Sequence, residues 1–592
     1  MRLPSLSLCA LLSAPAAAQV TELVSGAPAG AAANGVSGLL ALTPDGRFVA
    51  FVSAATNLVP GDTNAATDIF VRDRFTGTTE RVSVASGGVQ ADFESDEPAI
   101  SADGRFVAFS SNATNLVPGD TNSHWDVFVR DRALGTTERV SVTSAGLQPD
   151  WHCYAPSISA DGRFVTFLST ADDLVPGDTL GYQDVFLRDR TAGTTVRVNV
   201  SSAGAEANQS AIHAAISADG SCVVFDSGAT NLVTGDTNGF GDVFVRVLAS
   251  GTTERASVAG AMTQANHVSE EPSISADGRY VAFSSYATNY VAGDTNGLSD
   301  IYVRDRTAQT TTRASLSSGG VQPDMACWKP RLSPDGRSVA FESQSALLVA
   351  ADTNNANDIF VRDLDLGVTE RVSVSGSGGQ GDFSSAECAL SVGGRFAAFL
   401  SAATNLVAND TNALSDVFVH DRRASGFTSL CDPGSAGVLA CPCSNPPAGT
   451  GRGCENSSAS GGARLEASGL AYLAQDTLVF TTAGENPTAT TLLVQGDALA
   501  PAGVAFGHGV RCAAGALKRL YLKTAAGGAI LAPDLALGDP SVSARAAQLG
   551  DVLQPGAARW YFAYYRDPLS LGGCSAASAF NTTQTARIDW QP

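Results

Sequence analysis

The chain has 592 residues, of which 44% are hydrophobic, so it can bury more than one domain core and is not wholly disordered. Its formal net charge is −21, with 58 acidic against 37 basic residues. This charge excludes nucleic acid and anionic lipid as partners, because both are bound by clustered Lys and Arg side chains.

The first 18 residues have the pattern of an export signal. Arg2 supplies the positive charge, Leu3–Leu12 is a short and mostly apolar run, and Ala18 ends a row of small residues. The run is too short to span a bilayer, and no later segment is long and apolar enough for a membrane helix. We therefore expect a signal peptide over residues 1–18, no membrane span, and a secreted, periplasmic or cell-surface protein.

A glycine turn recurs every 58 residues, and a fixed period of this kind indicates a repeat architecture. In the second copy, short apolar segments at 97–101, 105–111, 126–132 and 138–142 are separated by turns or loops, which predicts four strands. Four strands repeated seven times predict an all-β fold with a seven-bladed β-propeller over residues 19–430. The turn glycines are Gly46, Gly104, Gly162, Gly220, Gly278, Gly336 and Gly394.

Two segments are candidates for the strand that closes the ring. Val20–Ser25 stands in the fourth-strand position relative to Gly46 but has no strands of its own before it. It would complete the last blade, whose other strands come from residues near 387–422, and so remove the open sheet edges. The alternative is that Gly426–Leu430 forms the last fourth strand.

The segment ADGRFVAF, followed by DVFVRDR and TTERVSV, resembles the TolB-type, WD-repeat-like propeller repeats of exported bacterial proteins. The resemblance covers about residues 20–430 and recurs in all seven copies. It implies a fold rather than a function, because such propellers include protein-binding modules, accessory domains of peptidases and a few lyases.

The chain after residue 430 has a different composition. Residues 431–457 are rich in Cys, Gly and Pro, and we expect a linker there. Alternating segments such as Thr477–Thr481 and Arg587–Trp590 predict strands, hence a small β-sandwich over residues 458–592. This part resembles a module found on varied secreted bacterial proteins.

Disulfides are the expected state of the cysteines of this region in an exported chain, in preference to a zinc knuckle. The sequence does not give their pairing. In the propeller, Cys153 and Cys327 lie three blades apart, too far for a disulfide, and Cys222 is expected to be a small buried residue. The disulfide candidates are Cys431, Cys441, Cys443, Cys454, Cys512 and Cys574.

An acidic loop between the second and third strands of each blade is the first candidate site. It carries an Asp-Thr-Asn segment and a later Asp, except that the third copy has Leu180 in the Asn place. Carboxylate and amide oxygens suit Ca²⁺, so structural calcium is one hypothesis, and turn chemistry alone is the other. The residues are Asp62, Asn64, Asp68, Asp120, Asn122, Asp126, Asp178, Asp184, Asp236, Asn238, Asp242, Asp294, Asn296, Asp300, Asp352, Asn354, Asp358, Asp410, Asn412 and Asp416.

The variable connection before each blade is the second candidate site. In a blade of four antiparallel strands, this connection and the loop between strands two and three lie on the same face of the ring. Long loops on a rigid scaffold commonly carry binding, and exposed aromatic side chains there favour a protein or glycan partner. The expected binding face comprises Trp151, His152, Tyr154, His267 and Trp328.

Signatures of catalysis are weak. The six histidines fall at unrelated repeat positions, and the sequence has no HExxH, G-x-S-x-G or phosphate-loop motif. We expect a monomeric, non-enzymatic binding or scaffold protein with no catalytic residues and no cofactor apart from calcium. The alternatives are a polysaccharide lyase or hydrolase with one loop pocket around His152 or His267, and a purely structural surface protein.

Overall fold

The computed structural model describes residues 20–590 except 29–30, 75, 261–262, 377, 409, 423–427, 430–432, 434–437, 443–444, 448–451, 455, 461, 469–475, 477, 507, 535–536, 555–556 and 568–579. The predicted signal peptide lies outside the described residues. Two compact units divide the chain, one of residues 19–422 and one that includes residues 423–592. No helix in the described part of the chain is long and apolar enough to cross a membrane.

Seven four-stranded antiparallel sheets form the first unit, in the parts of it that the structure describes. In chain order its strands are β1 Val20–Leu23; β2 Ser37–Leu42, β3 Phe48–Ser53, β4 Asp68–Asp73, β5 Thr78–Arg81; β6 Ser95–Ile100, β7 Phe106–Ser111, β8 Asp126–Asp131, β9 Thr136–Arg139; β10 Cys153–Ile158, β11 Phe164–Ser169, β12 Asp184–Asp189, β13 Thr194–Arg197; β14 Ala211–Ile216, β15 Cys222–Ser227, β16 Asp242–Val247, β17 Thr252–Arg255; the short hairpin β18 Val258–Ala259 and β19 Thr263–Gln264; β20 Ser269–Ile274, β21 Tyr280–Ser285, β22 Asp300–Asp305, β23 Thr310–Arg313; β24 Cys327–Leu332, β25 Ser338–Ser343, β26 Asp358–Asp363, β27 Val368–Arg371; and β28 Ser385–Leu390, β29 Phe396–Ser401, β30 Asp416–Asp421.

The seventh sheet joins the two ends of this unit. Its strand order is β1-β30-β29-β28, and Val20 lies opposite Asp421. Strand β28 also contacts β2 of the first sheet, so the seven sheets close into a ring and the predicted β-propeller is confirmed. The alternative closing strand is wrong, because its described residues Thr428–Ser429 pair instead with the strand Ala586–Asp589 of the second unit.

The second and third strands of each blade form its buried centre. In the second blade, Val107–Ser111 is buried throughout, and the rings of Phe109 and Phe128 lie 5.9 Å apart. Neighbouring sheets cover both faces of these strands, which explains their nearly continuous apolar sequence. The fourth strand ends earlier than the predicted 138–142, at Arg139, because the next two backbone N–H groups both point to the carbonyl of Val127.

An arginine after the third strand joins each of five blades to the blade before it. Arg132 stacks on the ring of Phe48 in the first blade, with its guanidinium carbon 4.7 Å from the ring centroid. Its Nε donates to Glu80 over 2.6 Å, and its Nη1 donates to the carbonyl of Gly104. The turn at Gly104 fits only glycine, since φ is +72° and a Cβ would lie 2.3 Å from the Phe48 ring.

The arginine after the third strand and the glutamate in the fourth strand of the preceding blade occur together. Two interfaces between blades lack this pair. In one of them, Leu248 replaces the arginine and Val196 replaces the glutamate. In the other, Leu364 replaces the arginine and Thr312 replaces the glutamate. Leu364 packs, with Tyr280, against the apolar core instead of forming an ion pair. Each interface therefore has either both charged groups or neither. The charged pairs are Arg74–Glu22, Arg132–Glu80, Arg190–Glu138, Arg306–Glu254 and Arg422–Glu370.

The second unit is a β-sandwich-like domain, as predicted. A six-stranded and a three-stranded sheet enclose one apolar core, and a hairpin covers the outer face of the larger sheet. Its elements are β31 Thr428–Ser429, β32 Arg464–Ser468, β33 Val479–Ala483, β34 Thr490–Gly496, β35 Ala498–Phe506, β36 Gly509–Ala514, β37 Lys518–Thr524, β38 Leu531–Ala532, α1 Val542–Gln548, β39 Ala558–Arg566, β40 Phe580–Thr582 and β41 Ala586–Asp589.

Alternate side chains of strand β39 pack into two different apolar layers of this domain. Tyr561, Ala563 and Tyr565 enter the core between the two sheets, and the indole Nε1 of Trp590 donates to the hydroxyl of Tyr561 over 3.0 Å. The residues between them, such as Phe562, face the hairpin β35–β36. Successive side chains of a strand point to opposite faces, so one aromatic strand supplies both packed layers.

The cysteines follow the expected division. Cys441 and Cys454 form a disulfide, and Cys512 is disulfide-bonded as well, whereas Cys431, Cys443 and Cys574 lie outside the described residues. The four cysteines of the propeller are buried and free: Cys153, Cys222, Cys327 and Cys388.

The contact between blades gives a test with an internal control. Arg132→Ala should lower the free energy of unfolding by about 1–3 kcal/mol, because it removes the ring contact and two hydrogen bonds together. Glu80→Ala should cost less than about 1 kcal/mol, since Glu80 is half-exposed. The double variant Arg132→Leu/Glu80→Val copies the natural Leu248 interface and should remain close to the parent in urea unfolding. A double variant as unstable as Arg132→Ala would contradict this account.

Candidate functional site

The two long connections of each blade meet on one face of the ring. The side chain of Asn64, in the loop between β3 and β4, donates to the carbonyl of Ala91 over 2.9 Å. Ala91 belongs to the connection that leads from β5 to β6, as does Gln90, whose Oε1 accepts from the backbone N–H of Thr63 over 3.3 Å. We call this surface the loop face.

In six blades, the acidic loop holds an arginine between its two carboxylates. Arg139 Nη1 lies 3.2 Å from Asp120 Oδ1 and 3.0 Å from Asp126 Oδ2. Ser141 Oγ donates to the other oxygen of Asp126, and both carboxylates are buried. The arginines come from the last residue of each fourth strand: Arg81, Arg139, Arg197, Arg255, Arg313 and Arg371.

The third blade shows why these six loops do not fit a calcium ion. Carboxylate oxygens of Asp178, Asp184 and Glu206 come close enough together to hold a metal. However, Arg197 Nη1 lies 3.0, 2.9 and 2.8 Å from these three oxygens. The guanidinium group thus supplies the positive charge that the carboxylates require.

The seventh loop differs in one residue. Its strand pairing places Leu23 of β1 where the other six blades have the arginine. Asp416 is satisfied by Ser25 Oγ at 2.5 Å and Asn412 Nδ2 at 2.8 Å. Asp410 is only 6% exposed, and among the described residues neither of its carboxylate oxygens has a well-aligned hydrogen-bond donor.

Electrostatics around this carboxyl group agree with its geometry. Burial raises the pKa of Asp410, and the neighbouring charge of Asp416 raises it further, while the backbone N–H of Asn412 offsets part of the rise. A negative charge on Asp410 is therefore costly in the protein alone.

An aromatic cluster on the loop face contains two of the predicted binding residues. Trp151 is half-exposed and lies 5.1 Å from the ring of His124 and 5.4 Å from that of His152. The backbone N–H of Trp125 donates to His152 Nδ1, and burial together with His124 lowers the pKa of His152. This histidine is neutral at pH 7 and supports the exposed indole.

A second cluster surrounds the predicted residue His267, which is exposed. Its ring stacks on Phe240 at 5.0 Å and lies 5.4 Å from Tyr286. Trp151 and His267 occupy one repeat position, just before the first strand of the blade. The same position carries further exposed apolar side chains in other blades, namely Phe93, Met325 and Phe383.

The predicted binding-face residues Tyr154 and Trp328 lie outside these two clusters. Both lie inside first strands, β10 and β24, where they are partly buried. The hydroxyl of Tyr154 donates to the side chain of Gln183. The structure therefore brings together Trp151 and His152, places His267 in a separate cluster, and moves the other two predicted residues to the inner strands.

The inner strands carry a charged network that the sequence analysis missed. The first strands of successive blades contact one another around the ring, so they line its centre. His213 Nδ1 lies 2.8 Å from Asp226, which also accepts from the backbone N–H of Glu271 over 3.1 Å. Glu271 accepts in turn from the backbone of Lys329, whose Nζ lies 2.5 Å from Glu387.

This network sits at a bulge that recurs in the first strands. Glu271, Lys329 and Glu387 occupy one repeat position and have positive φ values of 56°, 50° and 44°. Such backbone is strained for a residue with a side chain, and strain of this kind clusters at functional sites. Positive φ occurs at this position in five of the seven blades, with Glu97 and Ala155 as the other two members. The side chains differ from copy to copy, so the sequence carried no repeated signal for this position.

The geometry around the two histidines of the enzyme hypothesis lacks a catalytic partner within the described ranges. His152 Nδ1 is occupied by a backbone N–H, and His267 Nδ1 accepts from the backbone of Val268 over 2.9 Å. Neither ring forms a hydrogen bond to a carboxylate or an arginine in that part of the chain.

Among known proteins, the matches to this chain come from solved structures. No family model and no curated protein matches the chain. Solved structures that match include TolB from Acinetobacter baumannii, with 16% identity, a TM-score of 0.31, and coverage of 57% of this chain and 62% of that one. Putative TolB from Agrobacterium tumefaciens has 18% identity and a TM-score of 0.32, covering 51% and 87%.

The β-propeller domain of the Trilobed protease from Pyrococcus furiosus also matches, with 11% identity, a TM-score of 0.40, and coverage of 66% and 96%. These are similarities to solved structures at low identity. The seven blades themselves are established by the sheet order and the contacts between sheets.

The charged network predicts a pH dependence of stability. Burial opposes a charge on His213, but the hydrogen bond to Asp226 and the charges of Asp226 and Glu271 raise its pKa overall, against a smaller opposing effect of Arg331. A raised histidine pKa adds stability that is complete below the ordinary value of about 6.5 and is lost as the pH rises through the folded-state value. Urea unfolding of the parent and of His213→Gln should therefore differ most at about pH 5.5 and converge toward about pH 8.5. A difference that grows with pH would contradict this.

Proposed function

We propose that this chain is an exported, non-enzymatic binding protein whose propeller takes a protein partner on its loop face. The observation that carries the proposal is the recurrence of half-exposed apolar side chains at one repeat position: Phe93, Trp151, Met325 and Phe383. These residues are spread over several blades. A partner that contacts them together is large, which favours a protein over a single small molecule.

Charge indicates the kind of surface that such a partner presents. The first strands carry more acidic than basic groups, and the chain as a whole has a net charge of −21. These strands begin at the loop face, so Asp96 and Glu270 lie near the apolar positions. A partner with apolar and basic groups on one surface complements this arrangement.

Export is supported by two features. The Cys441–Cys454 disulfide is of a kind that persists in oxidising compartments. The N-terminal sequence has the charge and apolar pattern of a signal peptide.

Site-specific crosslinking tests the binding face. A photoreactive amino acid replaces Trp151 or Phe383 in one set of variants and Leu134 in the control. Leu134 is the more exposed residue at 70%, but it lies in the short turn between β8 and β9, on the opposite face. In cells that make the protein, we expect a discrete crosslinked protein from positions 151 and 383 and none from position 134.

The second step measures affinity for the protein identified in this way. Trp151→Ala and Phe383→Ala should each weaken its binding by about tenfold or more, as expected for truncated aromatic anchors, without changing thermal stability. Leu134→Ala should leave the affinity unchanged. Equal crosslinking from both faces, or full affinity after both loop-face substitutions, would contradict the proposal; specific retention by a glycan array alone would favour a glycan partner.

A further inference from the structure

The acidic loops of the first six blades can be compared directly with that of the seventh blade. In the sixth blade, Arg371 Nη1 lies 2.8 Å from Asp352 and 3.3 Å from Asp358. In the seventh blade, Asp410 and Asp416 hold the corresponding repeat positions, and Leu23 replaces the arginine. Two carboxylates thus remain without the basic side chain that accompanies them elsewhere.

The side chains that donate to Asp416 do not donate to Asp410. The Asn412 amide donates to Asp416 and to the carbonyl of Ala33, and Ser25 donates to the other oxygen of Asp416. Asp410 is more than nine-tenths buried, and neither of its oxygens has a well-aligned donor in the part of the chain that the structure describes. The backbone N–H of Asn412 offsets only part of the cost of burying this carboxylate, and a buried carboxylate calls for a compensating positive group.

The connection that lies over the acidic loop has a smaller side chain at the seventh blade than at the first. In the first blade, Gln90 lies over the acidic loop, and its Nε2 donates to Thr63 Oγ1 over 2.8 Å. The corresponding position next to the seventh loop is Ala32. A smaller side chain leaves more room for water molecules, which commonly complete the coordination of Ca²⁺.

We propose that the seventh blade binds one Ca²⁺ ion between Asp410 and Asp416, in the place that an arginine Nη1 takes in the other six blades. Two carboxylates match the charge of a divalent cation, and hard oxygen ligands match calcium. The site adjoins Ser25 and β30, so the ion stabilises the strand pairing that closes the ring. This site is independent of the loop-face partner proposed above.

Calcium binding by the full chain tests the site. After removal of metals by EDTA, calorimetric titration with CaCl₂ should show about one ion per chain, and calcium should raise the melting temperature. Leu23→Arg should bind no calcium and should melt, in EDTA, at least as high as the parent does in calcium. Asp410→Asn should also lose calcium binding, and it keeps the test valid if Leu23→Arg does not fold.

The matched variant is Arg371→Leu, which gives the sixth blade the residue found in the seventh. It should lose stability in EDTA and bind a second calcium ion that restores part of that stability. Absence of calcium binding by the parent, or calcium binding that survives both Leu23→Arg and Asp410→Asn, would overturn the proposal. A folded Arg371→Leu protein that binds no more calcium than the parent would overturn it as well.

Discussion

The pairing of β1 with β30 is the contact on which the propeller depends. It joins Val20–Leu23 to Asp416–Asp421, nearly the whole length of the domain apart in sequence. Without it, the last blade would expose the unpaired backbone groups of β30, and unpaired strand edges invite association with other chains. Every blade is covered on both faces by its neighbours, so closure also completes the burial of the first and last blades.

Stability and variation are divided between the two faces of the ring. The face with short turns carries the arginine that joins adjacent blades, together with the turn glycine at Gly104. The loop face carries the residues that differ from blade to blade, including Trp151 and His267. A rigid scaffold on one side lets loops on the other vary without loss of the fold, which is the arrangement that binding proteins commonly use.

The fold could be predicted from the sequence because the 58-residue period repeats turn, strand and loop in the same order seven times. The arginine in the acidic loops could not be assigned, because Arg139 meets Asp120 only once the fourth strand has paired with the third. The position of Tyr154 in a strand could not be predicted, because no turn residue marks where the variable connection ends and the six-residue strand β10 begins. The network around Lys329 gave no repeated signal, since its members are unlike one another and act across blades.

The paired substitutions between blades have a consequence for the order of the repeats. Between the third and fourth blades, Leu248 lies at the position opposite Val196. Between the first and second blades, Arg132 lies opposite Glu80. Exchanging the fourth blade with a neighbour would set a leucine against a glutamate on one side and leave an arginine facing a valine on the other. The blades are alike in fold but not interchangeable, because these side chains match each blade to its own neighbours.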